Sequence, residues 1–102
     1  MPVYNKLVRD KIPDIIEAEG KKAVTTVLSK DEYYKALVTK LQEEVQEFAE
    51  SDSIEEIADI LEVIDAIIAA KGAMKEQVCM IQKQKRAERG GFEKRIMLRE
   101  VL

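Results

Sequence analysis

The chain has 102 residues, of which 46% are hydrophobic and 36% charged, with a net charge of −3. That is room for one globular domain, excludes a disordered chain, and leaves no electrostatic footprint for duplex DNA or RNA, because acids and bases are interleaved. Histidine is absent, which excludes His triads, His general bases and His metal ligands, so any metal must sit on oxygen ligands.

The stretch from Tyr4 to Pro13 starts irregular and leads into a short helix. Pro13 suits its first turn, Ile15, Ile16 and Ala18 continue it, and Gly20 is a natural C-cap. The β-branched run Ala23-Val24-Thr25-Thr26-Val27-Leu28 reads as a short strand. Ser29, followed by Asp31 and Glu32, is an N-cap with acids in the first turn. The helix it opens should run to about Glu50, with Tyr34, Leu37, Val38, Leu41, Val45 and Phe48 on one stripe.

Ser51-Asp52-Ser53 breaks that helix, and Ser53 with Glu56 forms the S-x-x-E capping box of the next. This third helix, about Ile54 to Lys71, is the most apolar. Ile54, Ile57, Ile60, Leu61, Ile64, Ile67 and Ile68 fill one wide arc, and Val63, Ala66 and Ala70 carry the apolar surface toward the far side. Such a helix should touch neighbours on two faces. Gly72 caps it, and a fourth helix starts at about Met74, turns Met74, Val78 and Ile81 inward, and ends at Gly90-Gly91. The tail Phe92 to Leu98 alternates weakly; paired with the run at Val24–Leu28 it would make a two-stranded patch on a helical body. The expected fold is mainly α, a bundle of four to five helices with that short β patch. Cys79 cannot form an internal disulfide, fits a reducing compartment, and reads as a small core residue. With no signal peptide and no apolar run of membrane-spanning length, the expected location is the cytoplasm, away from any membrane.

Two acid clusters carry the chemistry: Glu43-Glu44-Val45-Gln46-Glu47 and Glu55-Glu56-Ile57-Ala58-Asp59. In each, an E-x-x-[ED] spacing puts two carboxylates on one helical face, where they repel unless a cation lies between them. At about 100° per residue, Glu44 borders the apolar stripe, Glu47 lies further out on the same side, and Glu43 points away. Glu56 and Asp59 flank the Val63, Ala66 and Ala70 surface, whereas Glu55 faces away. Glu44, Glu47, Glu56 and Asp59 are therefore the candidate metal set for Mg²⁺, with Mn²⁺ as the substitute. The competing reading is a solvated acidic face. Glu62 and Asp65 repeat the spacing one turn later; Asp65 falls inside the apolar arc and needs a partner there, as part of the site or as an ion pair. Two basic clusters could meet a phosphate chain: Lys6, Arg9 and Lys11 near the start, and Lys85 and Arg89, four apart at the end of the fourth helix. A solvated basic surface is the alternative for both.

With these residues in view, the chain resembles the small MazG-like, all-α nucleoside triphosphate pyrophosphohydrolases, relatives of phosphoribosyl-ATP pyrophosphohydrolases and all-α dUTPases. The resemblance rests on Tyr4-Asn5-Lys6-Leu7-Val8-Arg9-Asp10-Lys11-Ile12-Pro13, Lys40 to Phe48, Glu55 to Val63 and Arg89-Gly90-Gly91-Phe92, and covers nearly the whole chain. It maps the family's E-x-x-E and E-x-x-D metal motifs onto Glu44 with Glu47 and Glu56 with Asp59. One departure is that only eight residues separate Glu47 from Glu56, shorter than in larger MazG proteins, which leaves less chain for base recognition there. The resemblance implies one domain over residues 1–102 and a homodimer or homotetramer. It also implies a house-cleaning role against non-canonical nucleotides.

The expected reaction is Mg²⁺-assisted hydrolysis of a nucleoside triphosphate to monophosphate and pyrophosphate, with water attacking the α-phosphorus and Arg9, Lys11, Lys85, Arg89 and Lys6 on the phosphates. A non-catalytic helical module that binds nucleotide or protein through the same acids is the alternative, and a bare helix-hairpin dimerisation domain a third.

Overall fold

A computed structural model describes residues 4–102. Among these residues there are four α-helices: α1 (Ile12–Ala18), α2 (Lys30–Ser51), α3 (Ile54–Ala70) and α4 (Lys75–Arg89). The chain divides into two compact units, Met1–Gly72 and Ala73–Leu102. No described helix is long and apolar enough to cross a membrane.

The first unit is built on the hairpin of α2 and α3, the two helices that pack together. Ser29 caps α2 with a complete capping box: its Oγ accepts from the Glu32 N–H at 3.3 Å, and Glu32 Oε1 accepts from the Ser29 N–H at 3.2 Å. At the other end Asp52 takes the left-handed conformation (φ 54°), and its N–H donates to the Phe48 carbonyl. Ser53 follows at once as the N-cap of α3, its Oγ accepting from the Glu56 N–H at 3.4 Å. A connection of two residues leaves the helices no geometry but a tight antiparallel one. At the open end, the Lys71 ammonium lies 5.4 Å from the Tyr34 ring centre and donates to its hydroxyl.

The core is small. Leu37 on α2 and Val63 on α3 are its buried apolar members, with Ile60, Ile64, Ala66 and Ile67 half-buried beside them. The face of α3 that packs in the chain runs from Val63 into the expected main arc at Ile60, Ile64 and Ile67. Ile54, Ile57 and Leu61, members of the expected main arc, are exposed. Asp65 is half-buried and has an interaction partner, as its place on this helix requires.

The expected β patch does not form: no strand occurs among the described residues. Val24 and Val27 are almost fully exposed, as are Phe92 and Ile96. A β-branched run without a paired neighbour leaves its ladder groups to water, and a lone two-stranded ribbon is marginal in any case. The second unit consists of α4 and the turn beyond it, where Gly90 (φ 84°) ends the helix and Arg86 pairs with Glu93. Its Met74, Val78 and Ile81 are exposed, not inward. Cys79 is a free, half-buried thiol.

With so few buried apolar side chains, each counts heavily. Leu37→Ala should cost about 2–5 kcal/mol in urea unfolding. Val27→Ala should stay within about 0.5 kcal/mol, since no strand depends on it.

Candidate metal centre

The hairpin decides which acids meet. Of the four candidate acids, counted outward from Asp52, Glu47 and Glu56 come first on their helices and Glu44 and Asp59 next, so antiparallel packing sets the two pairs level. Glu44, Glu56 and Asp59 each offer a carboxylate oxygen, and these three atoms lie within 4.8 Å of one another. Glu44 is 94% buried by its 6% exposure, although it is ionisable. Its Oε1 takes an ion pair from Lys40 Nζ at 3.3 Å. Its Oε2 is buried with no hydrogen-bond partner, and Glu56 Oε2 is in the same state.

Glu56 explains why the second capping box is only half made. Ser53 serves the Glu56 backbone, but the carboxyl that should reach back to Ser53 is turned to the other acids. Loss of water raises its pKa from 4.5 to about 7, helped by hydrogen bonding with Glu44 and by the charge of Glu47, then by hydrogen bonding with Glu47 and the charge of Glu44. Its place in the first turn of α3 favours the anion, yet dehydration and like charge prevail. Glu47 itself is exposed and stands outside the three-acid group, close enough to act on Glu56. Glu43 is half-buried and 4.0 Å from Lys40, not turned away as its wheel position suggests.

Beside the acids a cleft of about 670 Å³ opens, a volume suited to a nucleotide-sized ligand. Four cations line it: Lys6, Arg9, Lys11 and Lys40. Arg9 Nη2 donates to Asp59 Oδ1 at 2.7 Å, which ties the N-terminal segment to α3. Asp10, Glu44, Asp59 and Glu62 supply four carboxylates to the same walls, and Tyr33 and Leu37 contribute apolar surface. The hairpin unit therefore brings Glu44, Glu56, Asp59, Lys6, Arg9 and Lys11 to one region, with Glu47 at its margin. Lys85 and Arg89 lie on α4, in the second unit.

Lys40 is the residue that sequence reasoning passed over. Its spacing to Glu43 and Glu44 was a signal, but i,i+3 and i,i+4 pairs are common on charged helices.

The donor set suits a hard divalent cation: carboxylates only, two buried oxygens without donors, and a mutual spacing one ion can bridge. Comparison with known proteins adds little. No family model matches the chain, and no solved structure matches it. Over 48 residues it is 50% identical to an uncharacterized protein of Mycolicibacterium smegmatis, a match covering 47% of this chain and 49% of that protein. The match thus spans about half the length of that relative.

The state of Glu56 sets a pH dependence. The folded chain holds its proton more tightly than the unfolded chain does, so between 4.5 and about 7 stability falls as pH rises. Glu32, whose pKa is lowered by the Ser29 hydroxyl and backbone, acts in the opposite sense and only below its ordinary value. In metal-free buffer the melting temperature should therefore drop from pH 5 to pH 8, and Glu56→Gln should flatten the drop and raise the value at pH 8. A profile in Glu56→Gln equal to that of the parent would place the titration elsewhere.

Proposed function

We propose that this chain is a MazG-like nucleoside triphosphate pyrophosphohydrolase, Mg²⁺-dependent, which releases nucleoside monophosphate and pyrophosphate. The observation that carries the reading is Glu44: a buried carboxylate with an unpartnered oxygen, clustered with two further acids beside a cleft lined by both cations and carboxylates. A purely structural acid in this place would leave an unpartnered buried oxygen beside like charges, a costly arrangement with no return in stability.

Glu44, Glu56 and Asp59 would hold the ion, with Glu47 joining from the margin. A bound Mg²⁺ supplies Lewis acidity, offsetting phosphate charge and making a water acidic enough to attack at neutral pH. Arg9, Lys11, Lys6 and Lys40 receive the triphosphate tail in the cleft and orient its α-phosphorus toward the acids. Glu47, exposed yet close enough to act on Glu56, would take the proton of the attacking water at its carboxylate. The water oxygen bonds to the α-phosphorus, the bridging α–β bond breaks, and pyrophosphate leaves among the cations.

The substrate class follows the resemblance: non-canonical nucleotides, cleared in the cytoplasm. The tight two-residue connection beside the acids leaves base choice to the cleft walls, where Tyr33 offers an aromatic face. We further propose that the exposed Ile54, Ile57 and Leu61 of α3 mark where a second copy packs, giving a homodimer or homotetramer. Light scattering at micromolar concentration should give at least twice the monomer mass, and Leu61→Asp should lower it.

Added Mg²⁺ should trigger pyrophosphate release from a panel of canonical and modified triphosphates, while Glu44→Gln, Glu47→Gln and Asp59→Asn should each abolish it. Lys6→Ala and Lys11→Ala, which change cations of the cleft, should each slow turnover by roughly 10–10³-fold without removing bound metal. Nucleotide binding with no pyrophosphate release would leave a non-catalytic nucleotide-binding module instead.

A further inference from the structure

Two of the three clustered acids are already engaged. Lys40 Nζ sits 3.3 Å from Glu44 Oε1, and Arg9 Nη2 sits 2.7 Å from Asp59 Oδ1. Both cations also line the cleft, so each spans the acids on one side and the space for a ligand on the other.

The Lys40 pair is poorly explained as a device for helix stability. Lysine preceding glutamate at i,i+4 is the less favourable order for an isolated helix, and the pairing buries Glu44 while leaving its second oxygen unserved. The Arg9 pair is exposed on both sides, and pairs of that kind contribute little to folding. What the two pairs do share is position: each puts a positive charge on an acid that a divalent ion would need.

From this arrangement, and resting on the function proposed above, we propose that Lys40 and Arg9 are exchangeable counter-ions that make metal and polyphosphate binding depend on each other. A divalent ion arriving alone meets two positive charges on its ligands. Displacing them leaves an ammonium and a guanidinium in the cleft deprived of Glu44 and Asp59, with only Asp10 and Glu62 as lining anions. A triphosphate arriving alone meets Lys6 and Lys11, but the two cations nearest the acids, Lys40 and Arg9, are already engaged by carboxylates. When both arrive, the ion takes the carboxylates and the cations pass to phosphate oxygens, so every charge keeps a partner. The composition of the cleft fits this exchange: four cations and four carboxylates line it, so the lining carries no net formal charge that would favour one ligand alone. By linkage, the factor by which triphosphate tightens the metal equals the factor by which metal tightens triphosphate.

Mn²⁺ binding tests the idea without turnover. Titrations followed by electron paramagnetic resonance use the full chain, with and without a triphosphate carrying an imido group at the α–β bridge. In the parent protein the analogue should tighten Mn²⁺ by roughly 5–150-fold. Lys40→Met should tighten bare Mn²⁺ by roughly fivefold or more while reducing that coupling, Lys40→Arg should retain most of it, and Arg9→Gln should shift both quantities in the same direction as Lys40→Met. Arg9→Gln changes a side chain exposed on the N-terminal segment, so it remains informative should Lys40→Met fold poorly. Parent-like coupling in Lys40→Met and Arg9→Gln, or weaker bare Mn²⁺ binding in them, would overturn the exchange while leaving the metal centre intact. A parent protein that binds no Mn²⁺ in either condition would overturn the metal reading itself, and this proposal with it.

Discussion

The constraint on which the rest of the structure depends is electrostatic: three carboxylates brought within 4.8 Å of one another by a helix hairpin whose buried apolar side chains are few. Like charges at that spacing repel, and the repulsion is stronger where water is excluded. Leu37 and Val63 supply the packing that resists it, and the two-residue connection at Asp52 and Ser53 denies the helices room to part. The remaining tension is met locally. Lys40 neutralises Glu44, Arg9 neutralises Asp59, and Glu56 holds a proton up to about pH 7.

Each of these compensations has a structural consequence. The Arg9 ion pair draws the irregular N-terminal segment over the hairpin, and that segment forms one wall of the cleft. Lys40 points into the same space from α2. The half-made capping box at Ser53 gives up one local hydrogen bond, and Glu56 joins the other acids instead. A strong helix signal set aside in this way is a local exception of the kind expected at a candidate functional site. On this view the thin core and the charged cleft belong together, since burial is spent on holding acids rather than on a larger apolar interior.

The apolar surface is divided in a similar way. Along α3, the face through Val63 is used within the chain, whereas Ile54, Ile57 and Leu61 stay exposed. In the second unit, α4 has no buried residue, and Met80 and Ile81 are exposed. A chain of this size exposing so many large apolar side chains is short of partners, which is the physical basis for the proposed association between copies.

Much of the local structure was legible in the sequence, because its signals act over a few residues. Ser29 with Glu32, Pro13, Gly72 and Gly90 mark helix ends through hydrogen bonds and backbone angles that depend on immediate neighbours, and the helices begin and end within a residue or two of them. Helical spacing and a short break were enough to anticipate the meeting of Glu44 with Glu56 and Asp59, whereas Glu47, grouped with them by the same spacing, stays exposed outside the cluster. Local pattern failed where the outcome depended on a distant partner. The run Val24–Leu28 has strand propensity but no neighbour to pair with, and so stays irregular. The broad apolar arc of α3 cannot announce which side meets α2; that choice follows from how two surfaces fit. Nor could charge patterning single out Lys40 and Arg9, because an ion pair acquires its meaning from what else lies within a few ångströms, and only folding brings the acids, the cations and the cleft that near.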